Sequence, residues 1–284
     1  MPVRILAVDV GNTAVSAAYF SEGRIRKRVH VKTRELEKRF LGVLKRDLEL
    51  SRAEAVVIAS VVPQAAHFLK TKLTRALGVK TLLIGEDLRA PIRNQYRNPK
   101  QVGMDRLMNA VAVVRQYKRD AIVVDFGTAI TFDVVLGKGE YLGGAIAPGI
   151  GVSLEALFER TALLPRIKLV HPKGIIGRDT VDSIRAGCCY GIGGLCDRII
   201  EEIQRFRRFK PLVIATGGYA AFMSRYCRHI QKIDRDLVLK GILYTYEHAV
   251  ETLLSSKPLP TSPCQGRRRT ILPLTRGSQR GFGD

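Results

Sequence analysis

Apolar runs with strand character and stretches of helical period alternate along this chain, and the alternation runs through twice. Residues 3–10 (VRILAVDV) and 14–20 (AVSAAYF) are predominantly apolar and flank a Gly-Asn-Thr turn. The turn SEG at 21–23 then leads into a third such stretch near 24–31, which together predicts a three-strand antiparallel meander. The period then changes: Leu36, Phe40, Val43, Leu44 and Leu48 recur at helical spacing. AVVIASV follows as a buried strand, then a helix over 64–77, the strand KTLLI, and a helix over about 103–118.

After that helix the pattern restarts. AIVVDF, TAITFDVVL and YLGGAIA read as three short strands joined by turns. Helices are expected over about 149–162 and 179–207, a strand at PLVIATGG, and helices over about 217–228 and 236–254. The layout is α/β with a boundary near residue 119, giving an N-terminal lobe over 1–118 and a C-terminal lobe over 119–256. The remainder, 257–284, mixes Pro, Gly, Ser and Arg without periodicity and reads as a disordered basic tail.

Composition narrows the class. A hydrophobic share of 46% and a charged share of 26% are ordinary for a globular protein, and no apolar run reaches the roughly 18 residues of a membrane span. The first apolar run meets Asp9 too early for a signal peptide, so a soluble cytoplasmic protein is expected. The five cysteines, an odd number with no C-x-x-C pair, then read as reduced thiols. Cys188 and Cys189 lie among small residues in AGCCYGIGG, which suggests close helix packing in the core or at an interface between copies.

The formal net charge of +21 attracts polyanions, which keeps nucleic acid as a partner class. Lys and Arg are spread over helical segments such as RKRVHVKTRELEKR and RFRRFK, however. That pattern favours solvated faces and a phosphate-bearing substrate over a nucleic-acid stripe. The five histidines, His30, His67, His171, His229 and His248, are scattered without ligand spacing.

The chemistry enters with a repeated phrase. AVDVGNTAVS at 7–16 and VVDFGTAITFD at 123–133 share the form apolar strand, Asp, any residue, Gly, small polar pair, second strand. Either copy alone is a common tight turn. Two copies, each opening its own meander, point to a duplicated unit with a ligand between the halves. Gly11 and Gly127 would let backbone N–H groups approach a phosphate, Thr13 and Thr128 would donate hydroxyls, and Asp9 and Asp125 would bind cations. Facing loops of this kind suit nucleotide hydrolysis or phosphoryl transfer.

Two further elements belong with these loops. Thr216-Gly217-Gly218 follows a buried strand and precedes an expected helix, where a glycine pair admits the sugar or base side of a nucleotide. In YRNPKQVGMDRLMNA, residues 96–110, Asp105 and Arg106 open an amphipathic helix after Gly103. There an Asp can accept a hydroxyl proton and an Arg can clamp an acid; the plainer reading is a helix-start acid beside an exposed Arg. Neither a P-loop nor a Rossmann fingerprint is present.

In combination these segments resemble the type III pantothenate kinases of the acetate kinase/sugar kinase/Hsp70/actin superfamily. The resemblance covers about residues 4–254 and runs in order through DVGNT, GMDR, DFGTAITFD, GGAIAPG, TALLP, GRDT and TGG. It implies two similar actin-like (ribonuclease H-like) lobes with an ATP cleft between them, each with a mixed sheet opening in a three-strand meander. It implies ATP-dependent phosphorylation of pantothenate, the first step of coenzyme A synthesis. Asp9, Val10, Gly11, Asn12, Thr13, Ala14, Val15, Ser16 and Thr128 are implied ATP contacts, and Asp125 is the implied ligand of a monovalent cation, K+ or NH4+, with Mg2+ accompanying ATP. Tyr96, Gly103, Met104, Asp105, Arg106 and Thr180 fall at pantothenate positions, with Asp105 as general base and Thr180 reaching in from the partner of a homodimer. Met104 stands where the family usually has Ala. A different alcohol acceptor within the superfamily, or a non-catalytic regulatory or nucleic-acid-binding relative, are the competing expectations.

Overall fold

A computed structural model describes residues 3–47 and 53–255; Leu48, Cys264 and the 257–284 segment expected to be a disordered tail lie outside the described residues. The expected meanders are present. Strands β1 (Arg4–Val10), β2 (Ala14–Ser21) and β3 (Arg24–Lys32) pair antiparallel, and α1 (Leu36–Asp47) follows. Next come β4 (Ala55–Ser60), α2 (Pro63–Leu77) and β5 (Lys80–Leu83), with β4 parallel to both β1 and β5. A two-residue strand β6 (Arg93–Asn94) and α3 (Met104–Tyr117) lead into the second half.

That half repeats the plan. Strands β7 (Ala121–Phe126), β8 (Ala129–Leu136) and β9 (Glu140–Pro148) pair antiparallel. Helices α4 (Ile150–Arg160) and α5 (Thr180–Arg207) precede β10 (Leu212–Thr216), the single turn α6 (Ala220–Met223), β11 (Lys232–Ile233) and α7 (Leu237–Ser255). The first sheet is ordered β3-β2-β1-β4-β5 and the second β9-β8-β7-β10-β11, with β6 added beyond β9. Strand for strand, the two orders coincide.

Strand periodicity sorts the core into layers. Ile5 and Ala7 of β1, Ala55, Val57 and Ala59 of β4, and Ala121 and Val123 of β7 face one central cluster with α3 and α7. The alternate residues, Leu6, Val8 and Val10 on one sheet and Ile122, Val124 and Phe126 on the other, face outer clusters. Phe40 and Leu44 of α1 with Leu69 and Leu73 of α2 cover the first sheet, and Cys196 and Ile200 of α5 cover the second. The sequence of layers is helix, sheet, helix, sheet, helix. Alanines on the inner faces leave room for the two central helices, α3 and α7, each the last helix of its half.

The sequence expectation fails in one element. The helix expected over 217–228 shrinks to α6, because Gly217 adopts φ 88° and the chain turns away from β10 before any helix starts. The N-cap of α6 is Tyr219.

Candidate active site

The odd-numbered positions of β1 and β7 point to the central layer, so Asp9 and Asp125, near the carboxyl ends of these strands, both face α3. Asp105 sits in the first turn of α3, its Oδ1 accepting from the Arg106 backbone N–H at 2.8 Å. Three carboxylates thus gather at the base of the seam between the sheets. Burial, then the charges of Asp105 and Asp125, push Asp9 up to about 8. Burial, then Asp105, push Asp125 up to about 7, against a 3.1 Å hydrogen bond donated by Asn109 Nδ2. Burial also raises Asp105, offset in part by the Arg106 N–H and guanidinium. A carboxylate raised in this way is a better proton acceptor near neutral pH.

The two D-x-G hairpins meet above this cluster. Thr13 Oγ1 and Thr128 Oγ1 are 2.8 Å apart, a direct hydrogen bond between the halves of the chain. Asn12, Thr13 and Thr128 are exposed at these tips, while Val10 and Val15 are buried supports and Ala14 and Ser16 half-buried ones. Each tip closes on itself through a backbone bond, Gly11 N to Ala14 O at 2.9 Å and Gly127 N to Ala129 O at 3.1 Å. Thr33 braces the first tip by donating from Oγ1 to Gly11 O at 2.7 Å. Gly217 braces the second: a Cβ there would fall 2.4 Å from Asp125 Oδ1, so only glycine lets the turn after β10 close against Asp125. Ser16 Oγ lies 3.0 Å from His30 Nδ1, a pairing across β2 and β3 that the scattered histidines did not announce.

On the other side of Asp105, Arg106 is not the exposed residue of the plainer sequence reading. It is 7% exposed and its Nε donates to Asp133 Oδ1 at 2.7 Å. Asp133, Tyr141 and Asn109 are polar neighbours of the cleft that sequence reasoning passed over, although Asp133 closes the quoted phrase VVDFGTAITFD. The available signal was a charged residue on a strand flanked by apolar positions. Gly103 packs against Asp105, where a Cβ would lie 2.4 Å from its Oδ1, and Met104 touches Gly85 through its terminal methyl. Tyr96 is half-buried and packs on Tyr141 and Gly143. Thr180, by contrast, lines a hollow of about 560 Å³ with Leu157, Arg178, Asp179 and Ser183, whose walls include none of the three cleft carboxylates.

Among the described residues no group of three or more His, Cys, Asp or Glu side chains forms a metal cage by itself. The donor set is nevertheless the right kind for hard cations: carboxylate oxygens that repel one another, beside the buried Asn109 Oδ1, which has no hydrogen-bond partner. Such a set holds a cation shared with phosphate oxygens better than one bound alone.

Two lobes of one strand order, meeting at paired Asp-containing hairpins over buried carboxylates, place the chain in the actin-like, two-lobed fold class. A solved structure with this fold, a ROK family glucokinase from Streptomyces griseus in complex with glucose and AMPPNP, matches 84% of the chain at a TM-score of 0.50 and 14% identity, covering 97% of that chain. The chain belongs to the type III pantothenate kinases. That family's sequence model matches residues 5–202. The type III pantothenate kinase of Moorella thermoacetica is 41% identical over 250 residues, and that of Syntrophus aciditrophicus 42% identical over 250, each alignment covering 86% of this chain and 98% of the relative.

Proposed function

We propose that this pantothenate kinase transfers the γ-phosphoryl group of ATP to the primary hydroxyl of pantothenate with Asp105 as the general base. The observation that carries the reading is the juxtaposition of Asp105, placed by the first turn of α3, with Asp9 and Asp125 beneath the joined tips at Thr13 and Thr128. The segment from Asp9 to Ser16 and Thr128 hold the ATP phosphates through backbone N–H groups and hydroxyls. Asp105 orients the acceptor hydroxyl and takes its proton as the oxygen attacks. Arg106 holds the acceptor's carboxylate, and Tyr96, Gly103 and Met104 form the wall around it. Mg2+ accompanying ATP neutralises phosphate charge, as in kinases generally. Asp125 is the proposed ligand of a K+ or NH4+ ion, a role supported by its burial, its carboxylate neighbours and the orphan Asn109 carbonyl beside it.

A homodimer completes the reading. Along α5 the exposed positions include Thr180, Ser183, Gly187, Tyr190, Gly191, Gly194 and Leu195, one stripe at helical spacing. Three exposed glycines inside a helix cost about 1 kcal/mol each relative to alanine, which a lone subunit gains nothing from and a closely approaching second copy does. Leu163 (90% exposed) and Ile176 (84%) in the segment before α5 extend the apolar surface. Thr180 lies on this stripe, consistent with its service to the acceptor site of a second copy. The lobes are assigned to 1–118 and 119–256 because the strand order repeats across that boundary, with α7 returning to pack on β1 and β4. The cytoplasm, where coenzyme A synthesis takes place, is the assigned compartment; among the described residues no helix is long and apolar enough to cross a membrane.

Pantothenate-dependent ATP consumption tests the reading directly. Asp105→Asn is expected to lower kcat by about 100-fold or more with nucleotide affinity retained; unchanged kcat would remove Asp105 from the chemistry. Asp125→Asn is expected to raise the potassium concentration needed for half-maximal rate, and an unaltered requirement would cancel the cation assignment.

A further inference from the structure

Behind the acceptor side lies a buried support that the catalytic reading does not use. Asp133 on β8 is fully buried, and its carboxylate has three hydrogen-bond partners: Arg106 Nε at 2.7 Å and the Tyr141 hydroxyl at 2.9 Å on Oδ1, and the Thr131 hydroxyl at 2.9 Å on Oδ2. Arg106 Nη2 also lies 2.7 Å from Oδ1, but without hydrogen-bond alignment, and it is a buried donor with no partner. Tyr141 on β9, itself fully buried, does more than hold Asp133. Its ring lies under the Arg106 guanidinium at 5.7 Å and against the Tyr96 ring at 6.4 Å between centroids. Tyr96 in turn rests on Gly143, where a Cβ would come within 3.1 Å of the ring.

A buried ion pair contributes little net stability compared with apolar residues of the same volume, because desolvating both charges costs several kcal/mol. What this one supplies is direction. Arg106 directly follows Asp105 in the chain, and without a counter-ion of its own the guanidinium is free to turn to the carboxylates of the cleft.

We propose that Asp133 and Tyr141 are positioning residues that lock Arg106 and Tyr96 into one unit, keeping an Arg106 N–H free for an acceptor carboxylate and so selecting anionic acceptor alcohols. The proposal rests on the reading of Arg106 as the acceptor clamp. Asp133 holds the guanidinium by its Nε edge, and Tyr141 fixes both the plane of that group and the ring beside it.

Steady-state kinetics of the full-length chain test this with two acceptors, pantothenate and its uncharged alcohol analogue pantothenol. Asp133→Asn is expected to raise KM for pantothenate on the order of tenfold, the loss of one charge-assisted contact, with KM for ATP unchanged and little effect on pantothenol. Tyr141→Phe keeps the ring and removes only the hydroxyl, so a smaller shift in the same direction is expected; this variant decides the matter if Asp133→Asn does not fold. Equal losses on both acceptors, or an unmoved KM for pantothenate in protein that binds ATP, would overturn the proposal. Arg106→Ala separates the two levels. If it leaves KM for pantothenate unchanged, the clamp reading itself falls; if it raises KM while Asp133→Asn and Tyr141→Phe are silent, only the positioning role falls.

Discussion

Asp9 and Asp125 tie the stability of the cleft to pH. Both are raised far above 3.8, to about 8 and about 7, so the folded chain retains protons that the unfolded chain has released. Their contribution to stability is complete below the unfolded value near 3.8 and is lost as pH rises through 7 and 8. The melting temperature of cation-free protein is therefore expected to fall from about pH 4 to about pH 8, and Asp9→Asn or Asp125→Asn should flatten that slope. Added Mg2+ should raise it again at the alkaline end, since a cation favours the charged form. A wild-type slope that neither variant alters would show that these carboxylates do not govern it. At this scale the sequence was legible where a motif is contiguous. Asp105 and Arg106 adjoin, and the repeated phrase marked Asp9 and Asp125 as a pair. The partner of Arg106 was not legible, because Asp133 is 27 residues away and only the pairing of α3 with the second sheet brings them together.

Among the elements, α3 and α7 carry the greatest constraint, since they are packed between both sheets. They approach so closely at Gly241 that a Cβ there would lie 2.0 Å from the backbone oxygen of Met108. Thr245, one turn on, donates to Gly241 O at 2.8 Å and reaches Met108 Sδ at 3.4 Å. Gly241→Ala must push the helices apart, and overpacking of this kind typically costs about 1–3 kcal/mol. A drop of several degrees in melting temperature is expected, with kcat falling too because α3 carries Asp105; a variant as stable and active as the parent would contradict the packing described. Strands and long helices were legible from period and turn residues. The turn at Gly217 was not, since its positive φ serves a contact with Asp125 that no local pattern encodes, and the apolar residues after it look helical in isolation.

For the whole molecule, the exposed stripe on α5 and the apolar segment before it set the expectation for assembly. Ile176→Asp combined with Leu163→Asp should convert a dimer to monomers in light scattering and raise KM for pantothenate, since Thr180 would no longer reach a neighbouring site. A monomeric wild-type chain with full activity would dispose of both expectations. The two-lobed layout was readable because the sequence restarts its own pattern; the helical layer shared by the lobes was not, since nothing in the order of elements says that α7 crosses back to the first sheet.

The matching strand orders are what a duplicated half-length chain would leave. Two copies of a half-length chain, related by a two-fold axis through the layer of α3 and α7, would bring their D-x-G tips together at that axis. The grip on phosphate would then exist only in the pair, because each half supplies one tip. Thr13 and Thr128 occupy neighbouring rather than identical places in the repeated phrase, and one hydrogen bond joins them. An enzyme descended from such a pair inherits a seam where an ancestor had an interface between subunits, and its chemistry sits where two ancestral surfaces met.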